Sequence, residues 1–300
     1  MRKGDVSRAC NEFRENLENV ATDRNLTNPT TGFGHTRNGL MKITILGSCA
    51  GTEPMPGRQH TSLVVQHAGN VYWIDAGEGC ARTAHLMGID LLNVPAIFIT
   101  HPHMDHVGGL ANLLWTFRKL NSRRPERPLD NQPIRLLMPE LRIWEGVQVL
   151  LGGPNLFDTG LTIEAVHYQD GHIFDDGNLR VQALHNLHMG QPAGDNGWMS
   201  YSLRIEADDQ TVVISGDVGD IRDVEPILPN CDLLLMETGH HQVENVCRYI
   251  ADRNDQIGHL AFYHHGRAIL ADPDGELAKA RQILGDCVTI TEDGMTLDVE

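Results

Sequence analysis

The chain has 300 residues, of which 41% are hydrophobic, and a formal net charge of −16. This length suits one large core or two smaller ones, and its longest apolar runs, at 94–100 and 231–236, are far shorter than the ~20 residues of a membrane-spanning helix. The negative charge opposes nucleic-acid binding outside a local basic patch. The six cysteines form no C-x-x-C pair, so we expect no disulfide framework, no thiolate zinc site, and a reducing, cytoplasmic location.

Residues 1–40 differ from the rest of the chain. They are polar, with acidic and basic residues interleaved and only a weak helical stripe. They lack both the apolar centre of a secretory signal and the acid-poor composition of a mitochondrial one. A strand-like pattern begins at Met41 with "MKITILG". We therefore predict a flexible N-terminal extension over residues 1–40 and a folded domain over residues 41–300.

From Met41 onward, short apolar runs alternate with glycine or polar turns, which is the pattern of β-strands. Residues 109–120 instead carry leucines and a phenylalanine at helical spacing, which predicts a helix with one buried face. Two β-rich halves with helices outside them predict stacked sheets in one α/β domain. The predicted strands cover residues 42–46, 62–67, 71–74, 96–100, 161–166, 179–184, 201–205, 211–215, 232–236 and 259–263.

The stretch "ITHPHMDHVGGL", residues 99–110, places three histidines and an aspartate within six positions. It joins an apolar strand to the predicted helix, and such loops often carry function. His101 and His103 are two residues apart and can project to the same side, whereas Asp105 and His106 face a second point. Imidazole suits zinc and similar metals, and an added carboxylate leaves room for bound water. Because four ligands exceed what one loop usually gives one ion, we predict a metal site with more than one ion.

This stretch resembles the histidine signature of the metallo-β-lactamase superfamily. "TILGSCAGTEPMPGRQHTSLVV" and "YWIDAGEGCARTAHL" resemble the opening segments of its ribonuclease Z-like branch, and "VVISGDVGD" resembles the segment with the metal-bridging aspartate. The resemblance runs from about Met41 to the C-terminus. It implies an α/β fold in the form of a four-layer αββα sandwich, with a dinuclear metal site at one edge of the two sheets.

The resemblance also implies ligands beyond this loop. "VQALHNLHMG" offers His185 and His188, and "LAFYHHGR" offers His264 and His265. The residues alone leave both choices open, and the family spacing favours His188 and His264. The implied ligands are His101, His103 and His188 for one ion, Asp105, His106 and His264 for the other, and Asp217 as the bridge between them.

By the same resemblance, Asp105 and His241 are the candidate catalytic residues, with His241 contacting a phosphate or protonating a leaving group. Asp75, at a strand's end, is expected to orient a metal-bound imidazole. No G-x-S-x-G motif is present, which argues against a serine hydrolase. The expected chemistry is hydrolysis by a hydroxide that bridges two divalent ions, zinc being favoured and manganese or iron the alternatives.

Four function classes are considered for such a site. The favoured one is a phosphodiesterase of small or cyclic phosphate esters; the others are a tRNA 3′-end endonuclease, a lactone or thioester hydrolase, and a non-hydrolytic metalloprotein. A basic run at 118–128 could approach RNA, but the most arm-like segments, 150–160 and 167–178, are acidic. We therefore expect a small phosphoester as the partner rather than RNA, and no membrane. Members of the resembled family often dimerise, but no apolar stripe in this sequence identifies an interface, so a homodimer and a monomer both stay open.

Overall fold

The computed structural model describes residues 39–152, 161–193, 197–253 and 257–299. Two seven-stranded mixed sheets form its centre. The first contains β1 (Met41–Gly47), β2 (Ser62–His67), β3 (Asn70–Ile74), β4 (Ala96–Phe98), β5 (Ile134–Met138) and β6 (Ile163–His167) in chain order, with β14 (Thr296–Val299) beside β1. The second contains, in chain order, β7 (Gly171–Asp175), β8 (Arg180–His185), β9 (Tyr201–Ala207), β10 (Gln210–Ile214), β11 (Cys231–Thr238), β12 (Ile257–His265) and β13 (Val288–Ile290).

Helices cover the outer face of each sheet. The helices on the first sheet are α1 (Cys80–Leu86), α2 (Met104–Val107), α3 (Leu110–Asn121) and α4 (Leu141–Leu150). Those on the second sheet are α5 (Val243–Ala251), α6 (Arg267–Ala271) and α7 (Pro273–Leu284). The order of layers is therefore helix, sheet, sheet, helix, and the predicted αββα sandwich is confirmed.

The central strands are buried on both faces, which explains their unbroken apolar sequences. In β2, Leu63 and Val65 belong to the cluster between the two sheets, whereas Val64 belongs to the cluster under the helices. The Trp73 and Phe117 rings meet edge to face, with centroids 5.8 Å apart. This contact seats α3 on the first sheet, and with it the loop that precedes α3.

Each predicted strand overlaps an observed one, and the predicted helix at 109–120 is α3. Strand β4 ends at Phe98 rather than at residue 100, so the loop that carries the histidines begins earlier. The predictions missed β5, β7, β13 and β14. Residues 167–178 do not form an arm, because they contain β7, which pairs with β8. Residues 153–160 of the other arm-like segment, and residues 1–38 of the predicted extension, lie outside the described residues.

The cysteines depart in one respect from expectation. Cys49, Cys80, Cys231 and Cys247 are buried free thiols, whereas Cys287 is disulfide-bonded, which the cysteine spacing did not predict. In the described ranges, no helix combines the length and the apolar character that crossing a membrane requires.

Candidate metal centre

The predicted ligands lie at one edge of the sandwich, where strands of both sheets end. In the first sheet, Asp75 follows β3 and His101 comes shortly after β4. In the second sheet, His188 follows β8, Asp217 follows β10, and His264 lies near the end of β12. Residues that are far apart in the chain converge here because neighbouring parallel strands end on the same side of a sheet.

The first cluster joins three imidazoles to one carboxylate oxygen. His103 Nδ1 lies 3.1 Å from His101 Nε2 and 3.1 Å from His188 Nε2. Asp217 Oδ2 lies 3.6 Å from each of the same two Nε2 atoms. These four donor atoms all lie within 4.8 Å of one another, which is the spacing of a candidate metal site.

The second cluster uses the other oxygen of Asp217. Its Oδ1 lies 3.2 Å from His106 Nε2 and 3.1 Å from His264 Nε2. Asp105 completes the cluster, with Oδ2 at 3.5 Å from His106 Nε2 and 3.9 Å from His264 Nε2. The structure thus brings together all seven residues that the sequence selected as ligands.

The chemistry of these donors fits divalent metal ions. Although they lie 3.2 Å apart, His106 Nε2 and Asp217 Oδ1 form no hydrogen bond, and both atoms are buried. This arrangement is costly for polar atoms unless another group satisfies them. Burial, aided by neighbouring imidazoles, lowers the pKa of His101 and of His188, which favours the neutral rings that metals bind. Burial opposes ionisation of Asp217, but His264 and His106 hold its pKa well below the usual value.

Asp75 orients His106 within the second cluster. Its Oδ2 accepts hydrogen bonds from His106 Nδ1 at 2.7 Å and from the Thr100 hydroxyl at 2.8 Å, while Oδ1 accepts one from the Thr100 amide at 2.7 Å. With Nδ1 held in this way, Nε2 points into the cluster. The backbone of Asp75 is left-handed, with φ of 54°. This conformation is uncommon for a residue other than glycine, and it persists where the surrounding contacts hold it in place. Asp75 therefore lies where the sequence placed an imidazole-orienting carboxylate.

His264 reaches the site through an irregularity in β12. The pairing of β12 with β11 shifts register between Glu237 and Thr238, opposite His264, which has a φ of 50°. Its Nδ1 lies 2.5 Å from the Thr61 hydroxyl, so Nε2 is left to face Asp217. A bulge of this kind re-aims a side chain that regular alternation would place elsewhere.

The two histidine choices left open by the sequence have clear geometric outcomes. His185 stacks on Trp198 at 3.9 Å between ring centroids, and its Nδ1 lies 2.6 Å from Asp170 Oδ2. His265 is buried, with Nε2 at 2.7 Å from the Thr291 carbonyl oxygen. Neither belongs to a cluster. Their neighbours His188 and His264 do, in agreement with the family spacing.

The structure places His240, rather than the predicted His241, in the cleft beside the clusters. His241 Nε2 lies 3.1 Å from the Val218 carbonyl oxygen, and this ring is not among those that line the cleft. His240 lines the cleft, and its Nδ1 lies 3.0 Å from Glu237 Oε1. The hydrogen bond to Glu237 raises the pKa of His240. No sequence pattern distinguishes these adjacent histidines, because Glu237 precedes both at helical spacing and its Oε1 also lies 3.5 Å from His241 Nε2.

The clusters open into a cleft of about 570 Å³. A side chain at Gly51 would contact the Asp105 carboxylate at 3.0 Å, and one at Gly239 would contact the His264 ring at 2.8 Å. Glycine at both positions therefore keeps the approach to the second cluster open. The cleft is lined by Ala50, Gly51, Thr52, His103, Met104, Asp105, Asp217, Gly239, His240, His264, Gly266 and Arg267.

Comparison with curated proteins gives partial matches to ribonuclease Z. The enzyme of Methanothermobacter thermautotrophicus is 36% identical over 91 residues, which are 30% of this chain and 28% of that protein. That of Picrophilus torridus is 28% identical over 236 residues, covering 68% of this chain and 76% of that protein. The chain thus spans little more than a quarter of the length of the Methanothermobacter enzyme and about three quarters of the length of the Picrophilus enzyme.

Comparison with solved structures supports the fold. The metallo-β-lactamase fold protein YhfI from Bacillus subtilis matches with a TM-score of 0.67 and 18% identity, over 86% of this chain and 99% of that one. The resemblance to the metallo-β-lactamase superfamily and to ribonuclease Z-like proteins is confirmed.

The match that decides the family is to a sequence model. The model described as Anti-Pycsar protein Apyc1 matches residues 41–264, which are well over half of the 300 residues and include every predicted ligand. The chain therefore belongs to the Anti-Pycsar protein Apyc1 family and has the metallo-β-lactamase fold.

Proposed function

We propose that this chain is a dinuclear metal-dependent hydrolase of a small or cyclic phosphodiester. The observation that carries the proposal is the position of Asp217, whose two oxygens face two different donor clusters. A carboxylate placed in this way can bridge two cations. Imidazole with carboxylate donors suits zinc, with manganese or iron as alternatives.

Two divalent ions held there would supply a hydroxide near neutral pH and would neutralise the charge of a phosphoryl group. The chain's own residues position the reactants. His101, His103 and His188 hold one side of the site, and Asp105, His106 and His264 hold the other. His240, oriented by Glu237, faces the cleft from which a leaving group departs, and takes the role that the sequence assigned to His241.

The charge distribution favours a small substrate over RNA. The chain carries a net charge of −16, and its basic run at 118–128 begins at the far end of α3, which is ~18 Å long at 1.5 Å per residue. Part of that run is already paired, Arg124 with Glu126 and Arg127 with Asp130. A single phosphodiester can be neutralised locally by two metal ions, whereas a long polyanion needs an extended basic surface.

A tRNA 3′-end endonuclease is the second candidate, because the curated relatives are ribonuclease Z enzymes. A hydrolysis screen of the metal-loaded protein distinguishes the candidates. We expect turnover of bis(p-nitrophenyl) phosphate and of cyclic mononucleotides, and little turnover of a precursor tRNA, a lactone or a thioester. Specific cleavage of the tRNA at its 3′ end, at rates well above those on the small diesters, would move the assignment to the endonuclease.

Elemental analysis tests the metal centre independently of the substrate. We expect two divalent ions per chain, because seven donors exceed the three protein ligands that one hydrolytic zinc ion normally takes. Fully active protein with one ion, or with none, would contradict the dinuclear proposal.

A further inference from the structure

One ion pair joins a cleft-lining arginine to a glutamate and is separate from the metal clusters and His240. Arg267, the first residue of α6, extends towards Glu53 in the loop between β1 and β2. Arg267 Nη1 donates to Glu53 Oε1 at 2.9 Å and Nη2 donates to Glu53 Oε2 at 2.7 Å. The guanidinium thus presents two parallel donors to two oxygens, the geometry in which arginine also binds phosphate.

Arg267 stands out by its charge. Among the described residues that line the cleft, it is the one lysine or arginine, and the carboxylates there, Asp105 and Asp217, belong to the metal clusters. A phosphodiester carries its negative charge on two non-bridging oxygens. Arg267 supplies a permanent positive charge in this wall of the cleft, and its guanidinium can pair with those two oxygens.

The ion pair with Glu53 is easy to open. Both side chains are largely exposed, 75% for Arg267 and 56% for Glu53, and an exposed pair of this kind contributes little net stability because water and salt screen it. A backbone hydrogen bond and the hydrogen bonds from Arg267 lower the pKa of Glu53. Its carboxylate occupies the donors that a phosphoryl group would use.

We propose that Arg267 is a specificity-determining residue that binds the phosphoryl oxygens of an anionic phosphodiester, and that Glu53 competes with the substrate for it. The inference rests on the proposed function and adds that the site selects substrates by their negative charge. Anionic diesters exchange with Glu53 and gain the two hydrogen bonds, whereas neutral esters such as phosphotriesters do not. The exchange breaks and forms only hydrogen bonds.

Opposite substitutions at the two positions test this exchange. Arg267→Met should raise KM for bis(p-nitrophenyl) phosphate by about tenfold or more, the scale of a lost charge-assisted hydrogen bond, with a much smaller change in kcat. Arg267→Lys keeps the charge without the planar fork and should be intermediate. Glu53→Gln should lower KM, by up to about fivefold, because the competing charge is gone.

A remote pair provides the matched control. Asp175 of β7 and Arg180 of β8 form an exposed ion pair, and Arg180→Met should leave KM and kcat unchanged. An unchanged KM in Arg267→Met, or a KM raised by Glu53→Gln, would overturn the inference. Metal content and circular dichroism of each variant show whether it keeps its metal site and its fold. The lower KM expected for Glu53→Gln does not depend on the stability of the Arg267→Met variant.

A binding measurement separates this inference from the proposed function. Titration calorimetry with inorganic phosphate on the metal-loaded protein should give a Kd at least about fivefold weaker in Arg267→Met and tighter in Glu53→Gln. If the wild-type protein binds phosphate with this dependence but hydrolyses no diester, the proposed function fails and the inference stands. If it hydrolyses diesters and neither variant changes phosphate affinity, the inference fails and the proposed function stands.

Discussion

Asp217 faces the two donor clusters with its two carboxylate oxygens, and only 2% of its surface is exposed. In Asp217→Ala, we expect loss of the metal bridge and a fall in turnover of at least about 100-fold, since metal-centred charge stabilisation is worth several kcal/mol. The fold should persist because the change removes a buried charge rather than core packing. Turnover, metal content and circular dichroism together measure this.

Asp170→Ala is the control for Asp217→Ala. Asp170 pairs with His185, near the site but outside both clusters. Near wild-type turnover of Asp217→Ala with two bound ions would mean that the ligands are misassigned.

His240 and His241 are adjacent in the chain but face different surroundings. His240→Gln should lower kcat for a diester by about 100-fold or more, the usual contribution of a positioned proton donor, whereas His241→Gln should have a much smaller effect because its ring faces the Val218 carbonyl. The two variants have the same composition, and kcat for substrates with good and poor leaving groups measures the difference. A larger loss in His241→Gln would restore the role that the sequence gave to His241.

Strand β12 carries His259, whose protonation depends on whether the chain is folded. Burial lowers the pKa of His259 to about 4, whereas an unfolded chain has a histidine pKa of about 6.5. Between these values the unfolded state binds a proton that the folded state does not. Stability therefore falls as pH decreases from about 6.5 to about 4, and levels off below that.

The size of this effect is on the order of 3 kcal/mol, at about 1.4 kcal/mol per pKa unit. His259 Nε2 lies 2.9 Å from the Thr289 hydroxyl of β13, which a glutamine can also contact. In His259→Gln, urea unfolding should show a weaker loss of stability from pH 6.5 to pH 4 than in the wild type. Equal pH dependence in the two proteins would show that His259 is not the titrating group.

At the scale of the whole molecule, the candidate metal centre joins the two sheets. Four of its residues, His101, His103, Asp105 and His106, follow β4 of the first sheet, while the other three come from the second sheet. Bound ions should therefore stabilise the whole sandwich. Chelation should lower the Tm by about 5–10 °C, since ligand at 100 times its Kd adds about 2.7 kcal/mol, and restored metal should reverse the change. A Tm that does not move while the metal content falls to zero would show that the ions do not link the sheets.

Features that depend on neighbours along the chain could be predicted from the amino-acid sequence. The motif around His101 could be interpreted because four donors lie within six positions, and the apolar runs placed most strands because the central ones are buried on both faces. The missed strands β5, β7, β13 and β14 are short, with three to five residues each. Such segments carry too little periodicity to distinguish them from loops.

The positions of adjacent candidates relative to the clusters and the cleft depend on tertiary contacts. His264 rather than His265 joins a cluster because a register shift and a φ of 50° turn its side chain towards Asp217. His240 lines the cleft, whereas the ring of His241 faces the Val218 carbonyl oxygen. Glu53 and Arg267 meet although 214 positions separate them. A one-residue difference in where a strand ends reverses the direction of a side chain, and the backbone conformation that settles it depends on contacts from the facing sheet.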